Sequence, residues 1–168
     1  MLFRSRKEFV RRERRSSVAG ETAYVFRHVL VRDVAYSQIP RKRRADMHRL
    51  AAGWFETLAG DRPEDLADMV AHHYLSALDL DRRSGREDPE LAARARTALV
   101  EAGDRSFSLN AFPAAARFYE QALALTPEAD AERPRILLGY GRALFHAEGS
   151  GKEALREAAD EFSGGRRA

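Results

Sequence analysis

Prolines divide the larger part of this chain into segments of helix length. Four of them stand at the start of stretches in which apolar residues recur every three or four positions: Pro63, Pro89, Pro113 and Pro134. Proline is well tolerated in the first helical turn, because the N–H that it lacks would have no partner there. Asp61 and Asp88 lie just ahead of two of these prolines, where an aspartate caps a helix. The chain is therefore predicted to be mainly α.

The prolines and the apolar spacing predict six helices. One begins at about residue 61, and the next four cover about 88–110, 113–126, 134–147 and 151–162. The clearest helical pattern covers 41–59, where one apolar stripe is expected to face the core: Met47, Leu50, Ala51, Trp54, Phe55 and Leu58. The last four helices are expected to pair into two antiparallel hairpins.

The first part of the chain gives more mixed signals. Ser5 and Glu8 have the spacing of a capping box, which predicts a short helix over 6–15. The stretch SSVAGETAYVF predicts a β-hairpin of two short strands around Gly20. A helix that starts shortly after this hairpin must end at Pro40, because proline cannot continue it.

Charge is distributed unevenly along the chain and suggests two modules. Residues 1–50 carry 14 lysines and arginines against 5 acids, whereas the remaining 118 residues carry 15 against 21. The stretch DRRSGREDPE, residues 81–90, is polar and has no period, so it is the predicted module boundary. We therefore expect an N-terminal region over 1–60, a connecting helix and loop over 61–84, and a helical-hairpin region over 85–168.

Several classes of function lack the residues that they need. The chain has no cysteine, so disulfides, thiolate catalysis and cysteine-bound zinc are excluded. None of the five histidines belongs to an HExxH pattern and no nucleophile elbow occurs, so neither a metal site nor catalysis is expected. No apolar run approaches the roughly 20 residues of a membrane span. These features predict a soluble, cytoplasmic protein that is not an enzyme.

Small and aromatic residues in the C-terminal region follow the spacing of a tetratricopeptide repeat. The five positions are Gly103, Ala115, Tyr119, Ala122 and Pro127. The small residues would let two helices approach closely, Tyr119 would fill the gap between them, and Pro127 would end the unit. The stretch LLGYGRALFHAEGSGKEALREAADEF resembles a second unit with a longer turn. An unrelated helical bundle is the alternative that this pattern leaves open.

The stretch EFVRRERRSSVAGETAYVFRHVLVRDVAYSQIPRKRRADMHRLAAGWFE resembles a segment of the STAND class of bacterial signalling ATPases. The block FRHVLVRDVAY carries most of the resemblance, which is greatest to members fused to adenylate/guanylate cyclase domains or to LuxR-type DNA-binding domains. In that class a P-loop ATPase core is followed by a winged helix and then by tetratricopeptide repeats. The resemblance implies a partial winged helix with a small β-hairpin, followed by repeat-like helical hairpins.

The same resemblance implies a function and a set of partners. The chain contains no G-x-x-x-x-G-K-[ST] pattern, so it resembles an internal piece of a longer protein. It is expected to hold no cofactor itself, and ATP or ADP would be bound by the core of the parent protein. By this resemblance the chain is a regulatory segment that packs on the ATPase core and offers its repeats to a protein partner.

The resemblance gives His28 a specific role. In related STAND proteins, a histidine where the winged-helix hairpin enters its helix faces the β-phosphate of ADP and holds the closed state. Val29 stands here in place of the usual aspartate. The alternative is that His28 caps or packs the start of its own helix. Arg32 and Asp33 follow one turn later, and they are expected to pair with neighbouring elements rather than with each other.

A DNA-binding transcriptional regulator is the alternative from another functional class. A winged helix is a DNA-binding shape, and the run RKRRADMHR would neutralise phosphates. No aromatic residues are interleaved with these basic residues, as a single-strand platform would need. The same run also fits the solvent-facing side of the amphipathic helix that it begins. Nucleic-acid binding is therefore not expected, and a salt-dependent shift of duplex DNA would favour this alternative.

Overall fold

The computed structural model describes residues 9–14, 16, 20–60 and 63–164 of the chain. Two strands lie in these ranges, β1 (Val10–Arg12) and β2 (Tyr24–Phe26). The α-helices are α1 (Val29–Ser37), α2 (Arg41–Ala59), α3 (Ala67–Arg82), α4 (Pro89–Ser108), α5 (Phe112–Leu123), α6 (Arg133–Glu148) and α7 (Lys152–Gly164). A 3-10 turn, Pro63–Leu66, precedes α3. The described part of the chain is mainly α with one small hairpin, which confirms that prediction.

The first strand of the hairpin lies earlier in the chain than expected. β1 pairs with β2 in antiparallel register, with Val10 opposite Phe26. The short helix predicted over 6–15 is therefore wrong at the residues of β1, and its capping residues lie outside the described ranges. That prediction used local spacing alone, whereas β1 is held by backbone hydrogen bonds to a distant strand. Gly20 lies in the connection with φ at 82°, a conformation that glycine adopts readily.

Local signals predict most helix ends well. α2 covers the range expected for it, and α1 ends before Pro40. At the start of α4, the carboxylate of Asp88 accepts a hydrogen bond from the Leu91 N–H at 2.9 Å, as an N-cap residue does. The helices α5, α6 and α7 begin and end within a few residues of their predicted bounds.

One hydrophobic core runs through α2 to α6. Each helix packs on the next one along the chain, from α2 on α3 to α6 on α7. Leu99 of α4 and Ile136 of α6 are the largest apolar side chains that it encloses completely. Buried residues of α3 and α4 belong to the same cluster, so the core continues across the polar stretch at 81–90.

The apolar stripe that was expected to bury α2 faces largely outward. The buried residues of α2 are Ala45, Ala52 and Phe55, whereas Leu50 is 74% and Trp54 42% exposed. Helical spacing identifies a stripe but not its partner, and the two alanines allow α3 to approach more closely than large side chains would. No helix in the described ranges combines the length and the apolar composition of a bilayer span.

A buried carboxylate joins three helices. Asp81, near the end of α3, is 1% exposed and accepts hydrogen bonds from the guanidinium groups of Arg49 and Arg86. Arg49, on α2, also donates to Asp88 at 2.9 Å, and Asp88 caps α4. The polar loop predicted over 81–90 is therefore wrong at Asp81, which belongs to α3. Its charge is buried because two arginines meet it there, a partnership that no local pattern reveals.

Replacing Asp81 with alanine should destabilise the fold. Arg49 and Arg86 would lose a buried acceptor, but both guanidinium groups are partly exposed and Arg49 keeps Asp88, so the cost is about 1–3 kcal/mol. Asp79→Ala is the matched control, because Asp79 pairs with Arg83 on the surface, where the two side chains are 58% and 66% exposed. Such a surface pair contributes about 0–1 kcal/mol. Urea unfolding of both variants measures the difference, and equal losses would contradict a structural role for Asp81.

Candidate functional site

Tyr119 fills the contact between α4, α5 and α6. A Cβ placed on Gly103 would lie 2.8 Å from Tyr119 Cε1, and one placed on Gly139 would lie 2.8 Å from Tyr119 Cζ. Both distances are shorter than a real side chain tolerates, so the ring needs a glycine on either side. Gly139 was not singled out from the sequence, although the GYG of the second repeat-like stretch offered a signal.

The other residues predicted for repeat packing occupy two different environments. Ala115 and Ala122 are 0% exposed and belong to the same core cluster as Tyr119. Pro127 is exposed in the turn after α5, where its carbonyl accepts a hydrogen bond from the Asp130 N–H at 3.1 Å. The structure thus brings the small and aromatic positions together and leaves the proline in the turn between α5 and α6.

Two successive side-chain hydrogen bonds fix the outer edge of this contact. The Tyr119 hydroxyl donates to Asp104 Oδ1 at 2.5 Å, and Asp104 Oδ2 accepts from Arg135 at 3.0 Å. Burial and the Asp104 carboxylate raise the pKa of Tyr119 well above its ordinary value, so the hydroxyl remains a donor. These hydrogen bonds connect side chains of α4, α5 and α6.

A groove of about 350 Å³ lies between α2 and α4. Val70 of α3 and Ala98 of α4 are among its buried lining residues. Acidic side chains from both helices line it as well: Glu56, Glu90 and Glu101. The sequence did not predict this groove, because it depends on which faces of α2 and α4 become neighbours.

The groove continues along the outer face of α4. Four of its lining residues recur at helical spacing on that face: Glu90, Arg94, Thr97 and Glu101. Thr97 and Glu101 also line a second cavity, of about 270 Å³, between α4 and α6. The two cavities therefore form one surface that follows α2, α4 and α6, which we call the concave groove.

The wall of the first cavity carries an excess of negative charge. Three glutamates face one arginine, which gives a formal charge of −2. The Arg94 guanidinium donates to Glu90 at 3.1 Å, and Glu56 accepts the Tyr74 hydroxyl at 2.8 Å. Burial raises the pKa of Tyr74, so its hydroxyl stays protonated. An acidic wall with apolar lining suits a partner segment that carries both basic and apolar side chains.

His28 lies at the N-cap position of α1 and is exposed. Its carbonyl accepts hydrogen bonds from the N–H groups of Val31 and Arg32 at 3.1 and 3.3 Å. Its side chain makes no capping hydrogen bond, so the imidazole does not cap the helix. The ring is left on the surface at the junction between the hairpin and α1.

Arg32 and Asp33 pair with each other. The Arg32 guanidinium donates to Asp33 Oδ1 through Nε at 2.9 Å and through Nη2 at 2.7 Å. The expectation that they bind neighbouring elements is therefore wrong. Adjacent helical residues point apart at Cβ, but the long arginine side chain bends back over the surface to reach the carboxylate. Both side chains are more than half exposed, so the pair contributes little to stability.

Tyr36, His48 and His73 form a hydrogen-bonded row across α1, α2 and α3. The Tyr36 hydroxyl lies 2.7 Å from His48 Nε2, and His48 Nδ1 lies 2.9 Å from His73 Nδ1. Burial, with the neighbouring histidines, lowers the pKa of His73 to about 4, and burial also lowers the pKa of His48. Both rings are neutral near pH 7. In the described ranges, no group of three or more side chains is arranged to hold a metal ion.

Comparison with protein-family models, with curated proteins and with solved structures found no match to this chain. The resemblance to STAND ATPases therefore stays a prediction from the sequence. The features that bear on function are the concave groove, the exposed histidine at the start of α1 and the packing around Tyr119.

Ala115→Phe should destabilise the fold by about 1–3 kcal/mol, because the added ring overpacks a fully buried position. Arg117→Ala is the control on the same helix, since Arg117 is exposed, and it should shift stability by less than about 0.5 kcal/mol. Thermal unfolding of the two variants measures the difference. Equal shifts in melting temperature would mean that Ala115 is not a packing position.

Stability should fall on acidification because of the histidine row. The pKa of His73 is lower in the folded chain than its ordinary value, so the unfolded chain binds the proton more readily. The stabilisation is complete above about pH 6.5 and is lost as the pH falls toward about 4. Protonating both His48 and His73 would also place two N–H groups against each other. Melting temperatures at several pH values across this window measure the loss.

His73→Phe tests the origin of that pH dependence. Phenylalanine keeps the stacking on Phe55, whose ring centroid lies 5.5 Å from that of His73, but it cannot be protonated. The variant should lose less stability than the wild type between neutral and acidic pH. An unaltered pH profile in His73→Phe would contradict the assignment.

Proposed function

We propose that this chain is a regulatory, protein-interaction segment of a nucleotide-switched signalling protein of the STAND type. The hairpin and α1 would form part of a winged helix, and α4 to α7 would form tetratricopeptide-like units. A cytoplasmic location belongs to the same proposal. The observation that carries it is the exposed apolar face of α1 beside His28.

The face of α1 has the character of a docking surface. α1 buries none of its residues, and Val29, Leu30 and Val34 are 56%, 74% and 61% exposed. A helix with so many exposed branched side chains is stabilised when another surface covers them. The occupant in this proposal is the ATPase core of the parent protein, which would bring its bound ADP close to His28.

The concave groove is the proposed site for a separate protein partner. Its lining combines acidic rims with buried apolar residues, and its two cavities are continuous along α4. A helical or extended segment with basic and apolar side chains would complement both features. The occupant that we propose is therefore a basic, amphipathic peptide segment of a partner.

Blocking the groove should abolish peptide binding. A fluorescent leucine–lysine peptide is the probe, and its glutamate counterpart is the charge control. Ala93 is exposed within the groove, so Ala93→Trp fills it without disturbing the core. Ala159→Trp adds the same ring to an exposed position on α7. Fluorescence anisotropy should show at least tenfold weaker binding for Ala93→Trp alone, and equal affinity for the two variants would exclude the groove.

His28→Ala should shift the switch of the full-length protein without unfolding this segment. A charge-assisted hydrogen bond to an ADP phosphate contributes about 1.5–3 kcal/mol and stabilises only the docked state. Its loss would change the closed-to-open ratio by about 10- to 150-fold. ADP should therefore dissociate faster and basal output should rise. In the isolated chain, melting should change as little as in Asp33→Ala, and a marked loss of stability with unchanged ADP release would make His28 a folding residue.

The DNA-binding alternative depends on the basic first turn of α2. Arg41, Lys42 and Arg43 are exposed there, so they are accessible to a polyanion. A salt-dependent mobility shift of duplex DNA would favour this alternative. The genomic sequence upstream of the first codon, read in the same frame, separates the two proposals further. A P-loop there would support the STAND assignment, and a promoter with a true start site would argue against it.

A further inference from the structure

A cavity of about 280 Å³ lies between the start of α2, the end of α3 and Tyr36 of α1. It shares no lining residue with the concave groove. Three arginines line it, Arg41 and Arg44 from α2 and Arg83 at the end of α3. Asp79 is its one acidic lining residue, so three positive charges against one negative give a formal charge of +2.

Among the described residues, one of the three arginines is paired with a carboxylate, and the other two are in no ion pair. Asp79 contacts Arg83 through Nε at 2.9 Å. The Arg44 guanidinium lies over the Tyr36 ring, with its carbon 4.8 Å from the ring centroid, and this contact supplies no carboxylate. Arg44 Nε is buried and has no hydrogen-bond partner. A buried donor without an acceptor is costly, so Arg44 retains hydrogen-bonding capacity that the described residues do not use.

The position of these arginines also opposes the ordinary electrostatics of a helix. The first turn of α2 contains four basic residues and no acidic one, and Pro40 provides no side-chain cap. The N-terminal end of a helix carries partial positive charge, so cations there are unfavourable and an anion is favourable. The folding of α2 by itself does not account for this arrangement, whereas a bound anion would offset both effects.

We propose that this cavity binds a phosphomonoester group. A phosphomonoester carries a charge of about −1.5 to −2 near pH 7, which matches the +2 of the cavity wall. Guanidinium groups suit it because they donate two parallel hydrogen bonds to phosphate oxygens. Ser76 lines the same cavity and offers a hydroxyl donor. The group belongs either to a small free phosphate ligand or to a phosphorylated side chain of a partner.

Thermal-shift and calorimetric titrations of the full chain test the proposal. The probes are inorganic phosphate, a short phosphoserine peptide and the same peptide without phosphate. Saturable binding of at least one phosphate probe is expected, with no binding of the unphosphorylated peptide. Tighter binding of the phosphopeptide would identify a phosphorylated partner, whereas equal or stronger binding of inorganic phosphate would identify a small ligand. Absence of saturable binding by either phosphate probe would overturn the proposal.

Matched variants separate a built site from diffuse attraction. Arg41→Gln and Arg83→Gln each remove one cavity guanidinium near the surface and should weaken phosphate binding about tenfold. Arg43→Gln removes the same charge from the same helical turn, but Arg43 does not line the cavity. It should leave the affinity unchanged. Equal losses in the Arg41 and Arg43 variants would overturn the proposal, and so would a chain that binds duplex DNA but neither phosphate probe.

Discussion

The arrangement of the helices depends most on the carboxylate of Asp81. A buried charge is tolerated only when its partners are held in place, so Asp81 fixes the positions of Arg49 on α2 and Arg86 in the following loop. Arg49 extends the constraint to Asp88, the capping residue of α4. One carboxylate thereby sets how α2, α3 and α4 meet. Arg49 and Asp88 also line a cavity beside the groove between α2 and α4, so the same ion pairs that hold the helices shape the candidate binding surface.

A second contact, around Tyr119, holds α4, α5 and α6 together by a different physical means. Tyr119 is clamped between two glycines, which fixes the distance between α4 and α6, and its hydroxyl bond to Asp104 fixes the orientation of its ring. The contact at Asp81 depends on paired charges, whereas the contact at Tyr119 depends on steric fit around an aromatic ring. Both contacts include α4. A structural change in α2 and α3 would therefore reach α5 and α6 through α4.

Interactions within a single helical turn were enough to predict most of the helices. The features that the sequence did not predict depend on contacts between residues far apart in the chain. Asp88 and three of the four prolines mark starts of α-helices, because capping and proline geometry act within one turn. Pro63 instead begins the 3-10 turn, and α3 starts at Ala67. The outward stripe of α2 was assigned to the core because spacing gives a face but not its partner. β1, the burial of Asp81 and the contact of His48 with His73 all depend on residues far apart in sequence. The tetratricopeptide-like spacing predicted that Gly103 and Tyr119 pack together. The role of Gly139 was visible only in the structure, where the Tyr119 ring lies between the two glycines.

Tyr36 connects the surface features of the N-terminal half. Its hydroxyl meets His48, its ring lies under Arg44, and its side chain lines the arginine cavity. Burial lowers the pKa of His48 first, and the charges of His72 and Arg44 lower it further. An anion bound beside Arg44 would offset that last charge and ease protonation of His48. Since α1 buries none of its own residues, its position depends on contacts such as this one. Binding of an anion and protonation of His48 would therefore both affect the contact between Tyr36 and α2, which holds α1 in place. His28 lies at the start of that helix.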